Sequence, residues 1–452
     1  MNTTRHTLTA LLLGSMTLAA QGAVSEEQAQ RLGRDLTPIG AEKAGNEAGT
    51  IPAWDGGFTD VPAGFEKGGH YPDPFKDDER LFTITGDNYE QYEENLSPGQ
   101  IALLQRYPGY NMPVYPTRRS TAYPQGIYEE TRANATKVEL VQGGNGFEGT
   151  TGGVPFPIPE NGLEAIWNHL THYRGDTYAT SWSQAAVTQG GDYTLVDFDY
   201  EYDFDYGNQT KAPSERDEDL LFYFLQVIKA PPRLAGSALL VWEYANQVEQ
   251  PRRAWSYNPG QRRVRLAPNV AYDNPGTAAD ALRTNDDFFM FNGATDRYDW
   301  KLVGKKEMYI PYNSYNINGP QHDIDDIVTP KHVNMEHARY ELHRVWVVEA
   351  NLKEGTSHIY KRRLFYLDED SWGISVTEKY DNRDQLWRVD EDHKYSYYDV
   401  PFLAPGLEVK HDLQSGRYIA LSIRNEKETI YQPIDRTPAD FSPSALRDLG
   451  LR

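Results

Sequence analysis

The sequence contains no cysteine among its 452 residues. A disulfide framework, a cysteine-ligated zinc or iron–sulfur cluster, a thiol nucleophile and a lipidated N-terminal cysteine are therefore excluded. Cations are also scarce, because 45 lysines and arginines face 66 aspartates and glutamates and the net charge is −21. This shortage of positive charge argues against general nucleic-acid binding. It also argues against adsorption to an anionic membrane by charge alone.

Long apolar runs are missing after the N-terminus, and the run at the N-terminus is short. Arg5 and His6 precede a mostly apolar stretch at 7–19, and small residues follow at 20–23. This pattern predicts a cleavable secretory signal peptide over residues 1–23, because a membrane-spanning helix needs about 20 apolar residues. We therefore expect a mature protein that is soluble in the periplasm of a bacterium, carries no lipid anchor and is not an integral membrane protein.

Aromatic side chains make up 12% of the chain, which allows a large core despite the charge. Residues 24–160 are predicted to form an N-terminal helix at 25–36 and a long Pro- and Gly-rich segment, with a second helix at 97–106. Because a free tail would not carry so many aromatic residues, we expect this segment to wrap over the surface of a domain. Residues 161–452 are predicted to be the core, continuous with the preceding region.

Two amphipathic helices are predicted near the start of the core. Asn161 and Glu164 form a capping box, and the apolar residues that follow lie on one helical face until Gly175. The second helix is predicted over residues 214–228, because Ser214 provides a cap and apolar residues recur at helical spacing. Both helices are expected to lie over a sheet.

One strand stands out by its strict alternation over residues 196–206. Its apolar and aromatic side chains point one way, and a row of five carboxylates points the other way. We call this set the acidic row: Asp197, Asp199, Glu201, Asp203 and Asp205. The row is interpreted as a solvated outer face that discourages pairing with other chains, with a contact face for a cationic partner as the alternative.

From residue 235 onward, strands and hairpins dominate the pattern. The predicted strands cover residues 237–247, 253–257, 262–266, 341–350, 358–367, 372–380 and 385–389. In the strand at 372–380, Trp372 and Ile374 lie on an apolar face, and Thr377 and Lys379 lie on a polar one. The fold class is therefore predicted to be α+β and rich in β-structure. We expect a curved antiparallel sheet with helices laid over its concave face.

Sequence signatures of catalysis are weak. The chain has neither a Gly-x-Ser-x-Gly motif nor a His-Glu-x-x-His motif, and His332, His337 and His343 lack the spacing of metal ligands on a helix. The Gly-rich stretch 144–149 matches a dinucleotide fingerprint, but the prolines in 155–159 prevent the helix that a nucleotide site requires. No metal and no cofactor are predicted, and the chain is not expected to be an enzyme.

An apolar trough between a curved sheet and its covering helices offers space for a lipophilic ligand. The wall of this trough is predicted from large side chains in regular elements: Trp167, Phe224, Trp255, Trp346, Phe365 and Trp372. For any one of the tryptophans, the sequence alone favours a place in a closed core. Candidate rim residues for an anionic head group are Arg263, Arg265 and Arg344, with ordinary pairing to acids of this chain as the alternative.

Several long motifs resemble one known family. They are Gly153–His169, Arg262–Asn269, Arg283–Phe288, Asp299–Glu307, Arg339–Ala350 and Phe365–Trp372. These motifs resemble family thirteen-twenty-nine of the domains of unknown function, an uncharacterised periplasmic family that is similar to the outer-membrane lipoprotein-sorting (Lol-like) superfamily. The resemblance implies a half-open barrel around a cavity for acyl chains. It also implies an inner-membrane lipid exporter and an outer-membrane protein as partners. The long N-terminal region departs from small sorting proteins.

The leading hypothesis is a periplasmic carrier for a lipid, an acyl chain or a lipidated partner, which moves its cargo between the inner and outer membranes. A second hypothesis is an envelope hydrolase that acts on glycan or lipid, with two clustered carboxyls and one raised pKa. Its candidate acids are Asp273, Asp286, Asp287 and Glu349. A third hypothesis is a non-catalytic envelope scaffold that uses the acidic row as its contact face.

Overall fold

The structure, a computed structural model, describes residues 24–247, 249–268, 270 and 272–449. The predicted signal peptide at 1–23 lies outside these residues. Within the described part of the chain, no helix combines the length and the apolar character that a membrane span requires.

Strands form most of the regular structure. In chain order they are β1 (Phe82–Ile84), β2 (Met112–Val114), β3 (Glu139–Val141), β4 (Gly146–Glu148), β5 (Thr177–Val187), β6 (Tyr193–Phe204), β7 (Leu220–Ala230), β8 (Ala238–Tyr244), β9 (Arg253–Asn258), β10 (Arg263–Leu266), β11 (Tyr298–Pro311), β12 (Tyr340–Leu352), β13 (Arg362–Asp368), β14 (Ile374–Tyr380), β15 (Leu386–Tyr397), β16 (Phe402–Asp412), β17 (Arg417–Ile423) and β18 (Gln432–Pro433).

Helices are few and short. They are α1 (Glu26–Ala29), α2 (Pro98–Arg106), α3 (Gln125–Asn134), α4 (Gly162–Thr171), α5 (Ile324–Ile327) and α6 (Pro443–Leu449). Single turns of 3-10 helix occur between the strands, one of them at Asn285–Asp287. The prediction of a β-rich α+β protein is confirmed.

One large curved sheet runs in the order β1-β2-β12-β13-β14-β15-β16-β17-β5-β6-β7-β8-β9-β10, with β11 on β12 and β18 on β5. The sheet does not close, so β1 and β10 are its two ends. It is mixed rather than purely antiparallel, because β2 meets β12 in a parallel bridge between Val114 and Tyr340. The β3–β4 hairpin stands apart from it, and the Gly-rich stretch lies in this hairpin rather than in a β–α turn.

Strand register defines two faces of the sheet, because directly paired residues share a face. Lys379 on β14 pairs with Arg388 on β15. Arg388 pairs with Asp412 on β16, which in turn pairs with Arg417 on β17, so these four residues lie on one face. The same face continues through Ala186 on β5 to the aromatic side of β6. We call this the inner face and the opposite side the outer face.

Two predicted helices are confirmed at their N-terminal caps. The Asn161 side chain accepts a hydrogen bond from the Glu164 amide at 3.0 Å and starts α4. Ser97 and Gln100 form a reciprocal capping box that starts α2. Buried apolar residues then hold each helix against the sheet.

The helix predicted over 214–228 is wrong, because most of this stretch is the strand β7. Its run of apolar and aromatic residues satisfies helical spacing, but a strand buried on both faces produces the same run. Pairing with β6 on one side and β8 on the other decides the outcome. Ser214 lies in a 3-10 turn before the strand. One of the helices expected to cover the sheet is therefore part of the sheet.

The predicted N-terminal helix is also shorter than expected. The capping box between Ser25 and Gln28 forms, but the helix α1 ends at Ala29 instead of residue 36. Gly33 has a φ of +81°, a left-handed conformation that glycine adopts without strain, and its amide bonds to the Leu36 carbonyl at 2.9 Å. A turn therefore replaces the rest of the expected helix.

The polar face predicted for strand 372–380 is not solvated. Every residue of β14 is buried, including Thr377 and Lys379. The outer face of this region is covered by α2, whose Gly99 amide bonds to the Glu378 carboxylate at 2.5 Å. The inner face is covered by a long connection between β10 and β11. Because both faces are covered, the charged residues of this region must be neutralised inside the protein.

The Pro- and Gly-rich N-terminal segment is held to the sheet by buried ion pairs. The guanidinium of Arg119 binds both carboxylate oxygens of Asp370, at 2.7 and 2.8 Å, and both side chains are 2% exposed. Arg119 also donates to the Glu42 carbonyl at 2.7 Å. The acidic turn at 368–371 lies between the predicted strands 358–367 and 372–380. It is therefore an internal anchor for this segment.

We predict that Arg119→Met lowers the free energy of unfolding by about 3–5 kcal/mol, because it leaves the Asp370 carboxylate buried and unpaired. Urea denaturation followed by tryptophan fluorescence measures this change. The matched control is Arg31→Met, which removes an ion pair between two half-exposed side chains, Arg31 and Asp35. Equal unfolding midpoints for the two variants would show that the Arg119 anchor is not needed.

Candidate functional site

The connection between β10 and β11 forms a plug over the inner face. We define the plug as residues 272–297, of which 285–287 form a 3-10 turn. Leu282, Phe289 and Phe291 belong to the main apolar cluster together with the aromatic side of β6. The plug therefore fills much of the trough that was expected to lie open.

Two adjacent aspartates fasten the plug to the sheet. Asp286 accepts a hydrogen bond from Arg363 at 2.6 Å and lies 3.0 Å from His358 Nε2. Asp287 lies 2.9 Å from Lys379 Nζ and accepts a bond from Tyr360 at 3.0 Å. All six side chains are buried. Because adjacent side chains point in different directions, the two carboxylates of the turn pair with different cations.

The charge pattern around these aspartates sets their protonation. Burial by itself would raise the pKa of Asp286, but Arg363 and the His358 hydrogen bond outweigh it and lower the pKa to about 2. Lys379 and Arg363 likewise hold the pKa of Asp287 well below its usual range in spite of burial. Burial lowers the pKa of His358. Both aspartates are therefore charged and His358 is neutral at physiological pH.

The paired charges continue along the sheet as a buried network. Asp390 pairs with Lys379 and lies 3.1 Å from Lys410, which in turn lies 2.8 Å from Glu408. These side chains are at most 3% exposed. The inner face thus has a charged half on β13–β16 and an aromatic half on β5–β8.

A small cavity remains on the aromatic half, between strands β6–β8 and the plug. Its volume is about 40 Å³. The wall consists mainly of large apolar side chains: Tyr202, Phe222, Phe224, Val241, Phe288 and Phe289. Six polar or charged residues also line the cavity: Gln226, Arg252, Thr277, Arg283, Asn285 and Asn292. The cavity could hold a water or two but is too small for an acyl chain.

A larger cleft of about 500 Å³ adjoins this cavity. Its lining includes Pro251, Arg252, Ala254, Leu266, Pro268 and Val270. Arg252 and Val270 line both spaces, so these two residues form a shared wall. Arg252 ties this wall together, because it pairs with Glu243 and donates to the Asn292 carbonyl at 2.8 Å.

The six predicted wall residues lie in different places. Phe224 lines the cavity. Trp167, Phe365 and Trp372 are fully buried in the main apolar cluster, where Phe365 packs on Phe291 and Trp372 donates to a backbone carbonyl.

The remaining two wall residues are farther from the cavity. Trp346 is half-buried beside Lys305, in a separate surface pocket. Trp255 packs against Trp242 in a cluster that includes Phe441, away from the cavity. The structure thus brings the wall residues into four surroundings, and their contact with a ligand stays a prediction.

The predicted head-group arginines also separate. Arg263 and Arg265 are exposed on the edge strand β10. Arg344 forms an ion pair with the buried Glu369 at 3.1 Å. This pairing is the alternative that the sequence left open for Arg344.

The carboxyls of the hydrolase hypothesis do not form an acid–base pair. Asp286 and Asp287 have lowered pKa values, whereas a general acid needs a raised one. Asp273 is half-buried and accepts a bond from the Ile359 amide at 3.1 Å. Glu349 lies 3.9 Å from Arg362. Asp286 and Asp287 thus lack the raised pKa that the hypothesis expected of one carboxyl.

The acidic row is largely neutralised by cations of the same chain. Asp197 pairs with Lys427 at 2.8 Å, Asp199 with Lys229 at 3.3 Å, and Glu201 with Arg436 at 2.7 Å. Lys211 lies near both Asp203 and Asp205, and these two acids are buried rather than solvated. The row therefore holds the chain's own segments and offers little free charge to a scaffold partner.

One group of side chains has the proximity of metal ligands. Ligand atoms of His343, Asp368 and Asp370 lie within 4.8 Å of one another, and all three residues are buried. However, Arg119 occupies both oxygens of Asp370, and His343 already contacts Glu341 at 3.1 Å. A fixed guanidinium beside the group opposes a metal cation.

The plug and the roles of Arg252 and Arg283 were not predicted from the sequence. Arg283 and both aspartates lay within a quoted motif, but their contacts depend on distant strands. The available signal was the run Arg283–Phe289, where charged residues are followed at once by two phenylalanines outside any strand pattern.

Comparisons with known proteins give relatives of unknown function. An uncharacterized protein of Pseudomonas aeruginosa is 49% identical over the full length of both chains. A proposed outer-membrane lipoprotein-sorting protein domain from Vibrio parahaemolyticus is 13% identical, with a TM-score of 0.44, covering 63% of this chain and 98% of that one. A DUF1329 family protein from Desulfovibrio piger is 17% identical, with a TM-score of 0.40, covering 60% and 91%. The family described as "Protein of unknown function (DUF1329)" matches residues 83–447, and the chain belongs to this family.

Proposed function

We propose that this protein is a periplasmic carrier that binds a lipophilic ligand between the aromatic half of the inner face and the plug. The observation that carries the proposal is the cavity walled by Phe222, Phe224, Phe288 and Phe289, which adjoins a cleft open to the surface. Ligand sites in proteins are typically concave, mostly apolar and supplied with a few polar groups. This site has that composition.

A cavity in an apolar core reduces the stability of a protein. At about 24 cal/mol per Å³, a cavity of 40 Å³ costs about 1 kcal/mol of stability. A protein can recover that cost when a ligand fills the space. The cleft has a volume of about 500 Å³, which falls in the range of sites for small molecules.

Binding of a long chain requires the two spaces to join. Arg252 stands in the shared wall, and its bonds to Glu243 and to the Asn292 carbonyl connect β8 to the plug. A ligand that displaces this side chain, or a shift of the plug, would merge the cavity with the cleft. The charged half of the inner face would stay closed, because its buried ion pairs cannot be opened at small cost.

Transport is the finer part of the proposal. A carrier that shields an apolar ligand between the two membranes needs to leave the cytoplasm, which agrees with the predicted signal peptide. The family resemblance noted from the sequence suggests an inner-membrane lipid exporter and an outer-membrane protein as the donor and acceptor of the cargo.

Native mass spectrometry of the protein purified from its own periplasm tests the proposal. We expect a fraction of the protein to carry a non-covalent adduct that organic solvent extracts as a lipophilic compound. We also expect the delipidated protein to take up N-phenyl-1-naphthylamine with increased fluorescence. Failure of both measurements would refute the carrier function.

We predict that Val241→Phe reduces uptake of N-phenyl-1-naphthylamine by about tenfold, because the larger side chain fills the cavity. Fluorescence titration at fixed protein concentration measures the change. Val303→Phe is the matched control, since Val303 is 53% exposed and distant from the site. Equal affinities in the two variants would place the binding site elsewhere.

We predict that Asp287→Asn loosens the plug and lowers the free energy of unfolding by about 3 kcal/mol, since Lys379 loses one of its two buried carboxylates. The variant should also take up the probe faster in stopped-flow fluorescence. Asp299→Asn, at an exposed position on β11, is the control. If Asp287→Asn loads at the wild-type rate despite the lower stability, plug movement does not limit ligand entry.

A further inference from the structure

Arg283 is a buried cation on the cavity wall, and the charges of Glu408 and Asp287 favour its protonated form without a direct ion pair among the described residues. Its residue is 4% exposed, and it lines the cavity beside Phe288. No carboxylate of the described residues forms an ion pair with it. Its Nη1 donates only a long bond to the Thr284 carbonyl at 3.3 Å, and its Nε has no hydrogen-bond partner. A buried guanidinium in such surroundings is costly unless an anion joins it.

Other buried arginines, Arg174 and Arg424 among them, also have an Nε without a hydrogen-bond partner among the described residues. Arg283 itself lies 5.7 Å from the centre of the Phe288 ring. Arg174 lies over the rings of Phe204 and Phe289, at 5.3 and 4.9 Å from their centres. Arg424 donates to the Pro405 carbonyl at 2.9 Å and also contacts a tyrosine hydroxyl. Neither residue lines the cavity. Arg283 has an Nε without a hydrogen-bond partner among the described residues and also lies on the cavity wall.

A second donor without an acceptor lies near Arg283. The hydroxyl of Tyr200 is fully buried and has no hydrogen-bond partner among the described residues. Burial raises the pKa of Tyr200 well above its usual value, and the nearby Arg283 charge opposes that rise. Tyr200 is not among the residues that line the cavity, so the contact with a carboxylate or phosphate is assigned to the guanidinium N–H groups of Arg283.

Resting on the proposed function, we propose that the ligand is an anionic amphiphile with one alkyl chain, bound head first. Its acidic head group occupies the cavity and accepts hydrogen bonds from Arg283. The chain extends past Arg252 into the apolar cleft. The volumes agree with this direction, because 40 Å³ accommodates a group of a few atoms, whereas the cleft of 500 Å³ accommodates a chain.

The arginines that the sequence indicated for the head group serve this role less well. Arg263 and Arg265 are exposed on β10, so water already solvates their charge. Arg344 is already paired with Glu369. An anion gains more from a cation that is buried and unpaired, because the interaction is stronger where water is excluded. The structure therefore moves the predicted head-group contact from the rim to the interior.

Displacement of N-phenyl-1-naphthylamine by matched lipids tests this inference on the mature full-length protein. The competitors are palmitate, hexadecyl phosphate, methyl palmitate and hexadecanol, with acetate and inorganic phosphate as head groups without a chain. We expect the wild type to prefer the two anionic amphiphiles over the neutral ones by about tenfold. Arg283→Gln should abolish this preference and still bind methyl palmitate. Arg263→Gln, at the exposed edge, is the matched control and should keep the preference.

Each result decides a different point. A preference for the acids that survives in Arg283→Gln, or that disappears in Arg263→Gln, overturns the role of Arg283. If acetate or inorganic phosphate alone displaces the probe, the ligand is a free anion, and the proposal of an amphiphile is overturned. A stronger effect of palmitate than of hexadecyl phosphate, or the reverse, supports the inference and identifies the acidic group. If no lipid or probe binds to any form, the proposed function itself fails and this inference fails with it.

A measurement on the wild type covers the case in which Arg283→Gln does not fold. NMR of palmitate labelled at its carboxyl carbon reports the ionisation of the bound head group directly. Beside Arg283 the carboxylate should remain ionised at a pH at which the same acid in a neutral apolar site is protonated. A bound carboxyl that is protonated at neutral pH would overturn the contact with Arg283.

Discussion

The two ion pairs that join Asp286 to Arg363 and Asp287 to Lys379 are the constraint on which the rest of the site depends. The partners are buried, so separating either pair would leave charges without water or a counterion. This condition holds the plug in one place on the inner face. The phenylalanines that follow the aspartates along the chain must then lie over the aromatic strands, and the small cavity is the space that their packing leaves.

A single surface of the sheet therefore serves two purposes. Its charged half, on β13–β16, is filled by ion pairs and anchors the plug. Its aromatic half, on β5–β8, is filled by apolar contacts that a similar apolar molecule can replace at small cost. The proposed binding site lies on the aromatic half, and Arg283 is the exception within it, a charge beside an aromatic ring that forms no ion pair with the described residues.

Local sequence signals predicted the elements that depend on near neighbours. The capping box predicted at Asn161 starts α4, the helix predicted at 97–106 forms as α2, and the strands predicted at 253–257 and 262–266 pair as the hairpin of β9 and β10. The predictions were wrong where contacts with a distant segment determine the local structure. Residues 214–228 form a strand because β6 and β8 pair with that stretch. Lys379 is buried, although its strand alternates, because the plug arrives from about a hundred residues earlier in the chain.

The sequence by itself determined the class of the protein: β-rich, acidic, without cysteine, with aromatic strand faces and a recognisable family. These properties follow from composition and from patterns with a period of two or a few residues. Only the tertiary structure decided which face of the sheet is filled, which charges neutralise one another and which arginine lines the cavity. The physical reason is that burial and ion pairing depend on contacts between segments far apart in the chain, and one sequence carries no direct record of those contacts.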